Sequence, residues 1–122
     1  MYDLEMELSK LNNKSSINDI QEYINKMIEE RGFDKETKQD VMLLLTEEIG
    51  ELAKEVRKST NIKMDEKQSR QENLSDEIAD VFMYILAMCR VADVNLLEAL
   101  VNKEKKNLGR TWKWFRNCGG YN

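Results

Sequence analysis

No proline interrupts this chain of 122 residues, and apolar residues recur along it at three- and four-residue intervals. Proline would fix φ and remove a backbone donor, so its absence lets helices run on wherever the periodicity sustains them. No alternating apolar–polar run of strand period competes. The sequence therefore predicts an all-α fold, a helical bundle of about four to five helices.

The pattern can be followed from the amino terminus. Leu4, Leu8 and Leu11 form the stripe of a short leading helix, and "NNKSS" breaks it. Ser16 then reads as an N-cap for Ile17, Ile20, Ile24, Met27 and Ile28, with Gly32 as the stop. Asp34 is placed to cap a longer helix from about Lys35 to Lys58, whose stripe of Leu45, Ile49, Leu52 and Val56 is predicted to face the core. The polar stretch Ser59 to Asn73 predicts a mobile connection, after which Asn73 or Ser75 caps a helix that is almost wholly apolar from Ile78 to Cys89 and is expected to be covered on nearly all sides. Asp93 or Asn95 starts the last helix, with Leu96, Leu97, Leu100 and Val101 facing inward and its end near Gly109. The tail "RTWKWFRNCGGYN" is aromatic and basic. We read residues 1–122 as one domain, with its core at about 17–110 and a tail at 111–122.

Several functions are removed by what the chain lacks. Nineteen Lys and Arg against twenty-three Asp and Glu leave a net charge of −4, which argues against a general binder of nucleic-acid polymers. Histidine is absent, and with it Ser-His-Asp and Cys-His catalysis, His-ligated zinc and the Glu-x-x-His pairs of di-iron bundles. Cys89 and Cys118 form no Cys-x-x-Cys motif and read as two thiols in a reducing compartment. The acidic start lacks a signal-peptide pattern and no apolar run is long enough for a membrane span, so a cytoplasmic protein without a membrane partner is expected. A chain this small buries only a modest part of its surface, so the core is predicted to be completed by oligomerisation, as a homodimer or homotetramer.

Against this background the acids stand out. "LLLTEEIGELAKEV" places Glu48, Glu51 and Glu55 beside an apolar stripe, with Glu47 turned further toward solvent. In "LSDEIADVFMYILAMC", Glu77, Asp80 and Tyr84 share one face. First-turn acids such as Asp76 and Glu77 suit a helix dipole, and Glu55 sits within reach of Lys58. Asp80 escapes those explanations, because Ala79, Val81, Phe82 and Met83 surround it. If Glu48, Glu51, Glu77 and Asp80 converge within about 6 Å, each ionised pair repels by roughly 3 kcal/mol at an effective dielectric of 20. Protons or a cation must then compensate. Oxygen ligands without histidine or paired thiolates suit Mg²⁺ or Mn²⁺, and Mg²⁺ recruits phosphate oxygens.

Glu48-x-x-Glu51, a spacer of 25 residues and Glu77-x-x-Asp80 resemble the MazG-like nucleotide pyrophosphohydrolases of the all-α NTP pyrophosphatase superfamily. The resemblance spans most of Ile17 to Arg110. It implies a helical core in which Glu48, Glu51, Glu77 and Asp80 bind Mg²⁺, with Mn²⁺ as a possible substitute, and a (d)NTP is cleaved to (d)NMP and pyrophosphate. Glu47 matches the first acid of the family's doubled E-E, so Glu47 and Glu48 are the catalytic candidates, the former holding water or a second metal. Gly50 is family-like, and its missing side chain would admit another helix. Lys103, Lys106, Asn107 and Arg110 fall near one face; Lys106 and Arg110 resemble the basic pair that closes the family's motif region and would meet phosphate oxygens, although Lys and Arg also suit any helix C-terminus.

The residues that contact the base are not identified by these patterns. Tyr84, Tyr23, Phe33 and the tail tryptophans are stacking candidates, but helical aromatics commonly belong to the core, as Met42, Met83 and Met88 do. The leading expectation is a nucleotide-pool house-cleaning enzyme. Two alternatives remain open: a non-enzymatic helical protein-interaction module, and a hydrolase of another nucleotide-like phosphoanhydride.

Overall fold

A computed structural model describes residues 1–60 and 67–110. Five helices follow one another: α1 (Leu4–Ser9), α2 (Ile17–Glu30), α3 (Lys38–Ser59), α4 (Lys67–Ala92) and α5 (Leu96–Leu108), with no strand among the described residues. The all-α expectation holds. The aromatic tail and residues 61–66 lie outside the described residues, and with them the mobility expected of that part of the polar connection.

Local chemistry sets the helix ends. Ser16 and Asp19 form a reciprocal capping box at the start of α2, and Thr37 and Asp40 form another at the start of α3. The predicted cap Asp34 is thus displaced to Thr37, because a hydroxyl followed three residues later by a carboxylate satisfies two orphan amides where Asp34 would satisfy one. After α2 the chain turns through Gly32 at φ +77°, with Gly32 N–H donating to Glu29 O (3.1 Å) and Phe33 N–H to Ile28 O (2.9 Å). A left-handed residue here favours glycine. α4 begins at Lys67, well before Asn73 or Ser75. Its first turns carry no proline or glycine, so helix propensity extends it beyond the apolar pattern.

α3 and α4 make the most extensive pairing, α2 lies against α4, and α1 and α5 each pack on α2. The α3–α4 pair is antiparallel: Glu77 lies in the field of Glu48 and Glu51, while Tyr84, two turns on, lies in that of Glu36 and Glu47. Ile24, Met27 and Ile28 of α2 close on Leu86 of α4, with Ile20, Tyr23, Phe82, Met83 and Leu96 packed around them. Burying each such aliphatic side chain contributes roughly 1.5–3 kcal/mol. The end of α4 is pinned to α2. Asp93 takes φ +55°, Gln21 Nε2 donates to Val94 O (2.8 Å), and Leu96 N–H donates to Gln21 Oε1 (3.1 Å).

Three expectations about burial are corrected. Ile49 and Val56 are 47% and 46% exposed, because Val41, Glu48 and Glu55 take the side of α3 that meets α4 and the Met42–Ile49–Val56 stripe faces outward. α4 is not covered all round, since Ile78 and Ile85 are exposed; on α5 only Leu96 reaches the core, and Leu97, Leu100 and Val101 do not. Among the described residues, nothing approaches the Cβ position of Gly50 within 4 Å. It lies on the side of α3 away from α4. None of the described helices is long and apolar enough to cross a membrane.

Candidate metal centre

The antiparallel pairing of α3 and α4 brings two acid pairs to one level. On α3, Glu48 points between the helices because it shares the α4-facing side with Val41 and Glu55. On α4, Glu77 and Asp80 are one turn apart on the face turned to α3. One carboxylate oxygen from each of Glu48, Glu77 and Asp80 lies within 4.8 Å of the other two, and all three residues are half-buried. Glu51, a turn along α3, is exposed and outside this tight group, yet its charge still bears on Glu77.

Electrostatics report the crowding. A hydrogen bond with Glu48 raises the Glu77 carboxyl from 4.5 to about 7; burial and the charges of Glu48, Asp80 and Glu51 act in the same direction. Two carboxyls at hydrogen-bonding distance share a proton when nothing positive is near. Among the described residues, Glu77 Oε2 is buried without a hydrogen-bond partner. Tyr84, one turn beyond Asp80, has its hydroxyl pKa raised by burial first and then by Glu48, Glu36, Asp80 and Glu47. A set of carboxylate oxygens, one of them an orphan, fits a hard divalent cation: the ion would supply the missing partner and offset the repulsion.

A cleft of about 300 Å³ opens beside Asp80. Its apolar wall includes Met27, Met83 and the Tyr84 ring, and Phe33 stands at its side, 49% exposed. Of the aromatic candidates, Phe33 and Tyr84 are therefore beside the acids, whereas Tyr23 packs on the core. Arg31 and Glu36 also line the cleft. Neither stood out in the sequence, since each reads as an ordinary charged residue flanking a turn.

The basic candidates are carried by a different helix. Lys103, Lys106, Asn107 and Arg110 lie at and just beyond the carboxy-terminal half of α5, which packs on α2. Asn107 Nδ2 donates to Glu104 at 3.4 Å. The charges acting on Glu77 are all acidic. Glu47 is exposed on α3, at the edge of the cluster. The Glu55–Lys58 pair expected from their spacing is present at 3.5 Å. The burial of Glu55, at 7% exposure with Oε2 unpartnered among the described residues, was not foreseen. Only the register against α4 reveals it.

Compared with known protein families, residues 36–114 match the MazG nucleotide pyrophosphohydrolase domain, a span that contains both acid pairs and α5. No curated protein matches the chain.

Proposed function

The chain belongs to the MazG nucleotide pyrophosphohydrolase domain family, and on that premise we propose that it cleaves nucleoside triphosphates to the monophosphate and pyrophosphate. Mg²⁺, or Mn²⁺ in its place, would be held by Glu48, Glu77 and Asp80, with Glu51 proposed as a fourth ligand. The observation that carries this reading is the three-carboxylate cluster with its orphaned Glu77 oxygen. Such a cation supplies positive charge that neutralises phosphate oxygens and eases deprotonation of water.

The chain's own residues account for the rest. Glu47, solvated and adjacent to Glu48, takes the proton of the attacking water. The water oxygen bonds to the α-phosphorus, the bond from that phosphorus to the bridging oxygen breaks, and pyrophosphate leaves with the electron pair. Cleavage at the α-phosphate requires the nucleoside to lie within one phosphate of the ligands, and the cleft bordered by Asp80, Phe33 and Tyr84 meets that requirement. Lys103, Lys106, Asn107 and Arg110 are assigned to the β- and γ-phosphates, for which their donors are suited. The role is removal of unwanted nucleotides from a cytoplasmic pool.

The active form is a homodimer or homotetramer. Support comes from two exposed stripes at heptad spacing, Met42, Ile49 and Val56 on α3 and Ile78 and Ile85 on α4. Such a seam on an antiparallel helix pair suits a four-helix bundle with a second copy. The test of the activity is incubation with a panel of NTPs and dNTPs plus Mg²⁺. Pyrophosphate should appear, and chelator should stop it. Orthophosphate as first product would point to terminal-phosphate cleavage, and no product from any nucleotide would defeat the reading.

A further inference from the structure

We propose that the cleft beside Asp80 reads guanine, with Arg31 and Glu36 as its specificity residues; this deepens the nucleotide reading above and rests on it. Two helix ends build the cleft's charged rim. Arg31 caps the C-terminus of α2, Gly32 reverses the chain at φ +77°, and Glu36 immediately precedes Thr37, the N-cap of α3. Both charged side chains line the cleft. Among the described residues neither side chain has a hydrogen-bond or ion-pair partner, so the two opposite charges border one space without neutralising each other. A guanidinium offers only donors and an ionised carboxylate only acceptors. Phe33 and Tyr84 line the same cleft and offer surfaces suited to a flat ring.

A ligand that fills this cleft must be planar and must carry acceptors on one edge and donors on another. Guanine presents O6 and N7 as an acceptor pair and N1–H with the 2-amino group as a donor pair, so both charged groups bind it in bidentate fashion. Adenine and cytosine each bring one amino group to the carboxylate. Uracil and thymine bring a single ring N–H. With any of these, one charged group gains fewer partners than guanine gives it, and that difference is the source of discrimination.

The test compares kcat/KM for the four bases as triphosphates with Mg²⁺, together with ITP, which lacks the 2-amino group, and 7-deaza-GTP, which lacks N7. Guanine nucleotides should lead by about tenfold or more, and each analogue should fall about tenfold below GTP. Glu36→Gln should compress the GTP/ITP ratio and Arg31→Met the GTP/7-deaza-GTP ratio; a merely structural role would lower all substrates together. Pyrophosphate release without base preference, or ratios unmoved by either variant, overturns the guanine assignment and leaves the pyrophosphohydrolase reading intact. If no triphosphate is cleaved, that reading fails, and calorimetric binding of GMP, IMP and AMP with Mg²⁺ decides separately. Tighter GMP binding upholds the cleft's specificity and equal binding overturns it.

Discussion

A proton held between Glu48 and Glu77 would make the proposed cation binding depend on pH in a range where an ordinary glutamate would not. With the Glu77 carboxyl at about 7, about nine-tenths of it is protonated at pH 6, half at pH 7 and about one-tenth at pH 8. A cation takes the carboxylate, so its binding expels that proton. Apparent Mg²⁺ affinity should fall about tenfold per pH unit below 7 and flatten above 8. Proton release should run from about 0.9 per site at pH 6 to about 0.1 at pH 8. Isothermal titration in two buffers of different ionisation enthalpy counts those protons, and no histidine contributes to the count. Glu77→Gln removes the cluster's contribution and identifies it.

The same shift acts on the stability of the metal-free protein. The folded value lies above the ordinary 4.5, so the group's contribution to stability is complete below about 4.5 and is lost as pH rises through 7. Thermal midpoints should therefore decline from pH 5 to pH 8 without Mg²⁺, and Glu77→Gln should be flatter. Metal affinity that is constant between pH 5.5 and 8, with no proton released at pH 6, would refute the shared-proton account.

Three further outcomes are expected. Asp80→Asn should lower turnover by at least about a hundredfold, since altering groups that merely orient metal ligands already costs 10–100-fold, while circular dichroism shows the helices intact. Leu86→Ala should cost about 2–5 kcal/mol in urea unfolding, because Leu86 is 0% exposed at the closure of α2 on α4. Ile49→Lys combined with Ile85→Lys should shift light scattering to the monomer mass, because two charges would enter the seam between copies.

What could be read in the sequence follows the range of the interactions involved. Ser16, Gly32 and Asn95 mark helix ends through hydrogen bonds spanning a few residues, and all three do so in the structure. The convergence of Glu48, Glu77 and Asp80 was also legible, because apolar neighbours give a buried acid few roles. Burial was harder. Leu45, Ile49, Leu52 and Val56 make a sound stripe, yet periodicity shows only that a helix has an apolar side and not which of two partners covers it. Glu55 and the Arg31–Glu36 rim depend on the register of helices distant in sequence, and no local pattern encodes that. Lys67 to Glu72 gave no apolar signal at all, although α4 already includes them.

The corner between α4 and α5 gives Gln21 control over a lever. α5 has 13 residues, so it extends about 20 Å at about 1.5 Å per residue, with Lys103, Lys106 and Asn107 on its distal half and Arg110 just past its tip. A tilt of about 10° at Asp93 would carry the tip roughly 3.4 Å by that same geometry, more than the length of a hydrogen bond. One side-chain amide grips both Val94 O and Leu96 N–H across this fulcrum. The direction in which the basic end extends is thereby tied to α2, by a neutral residue at the opposite end of the helix.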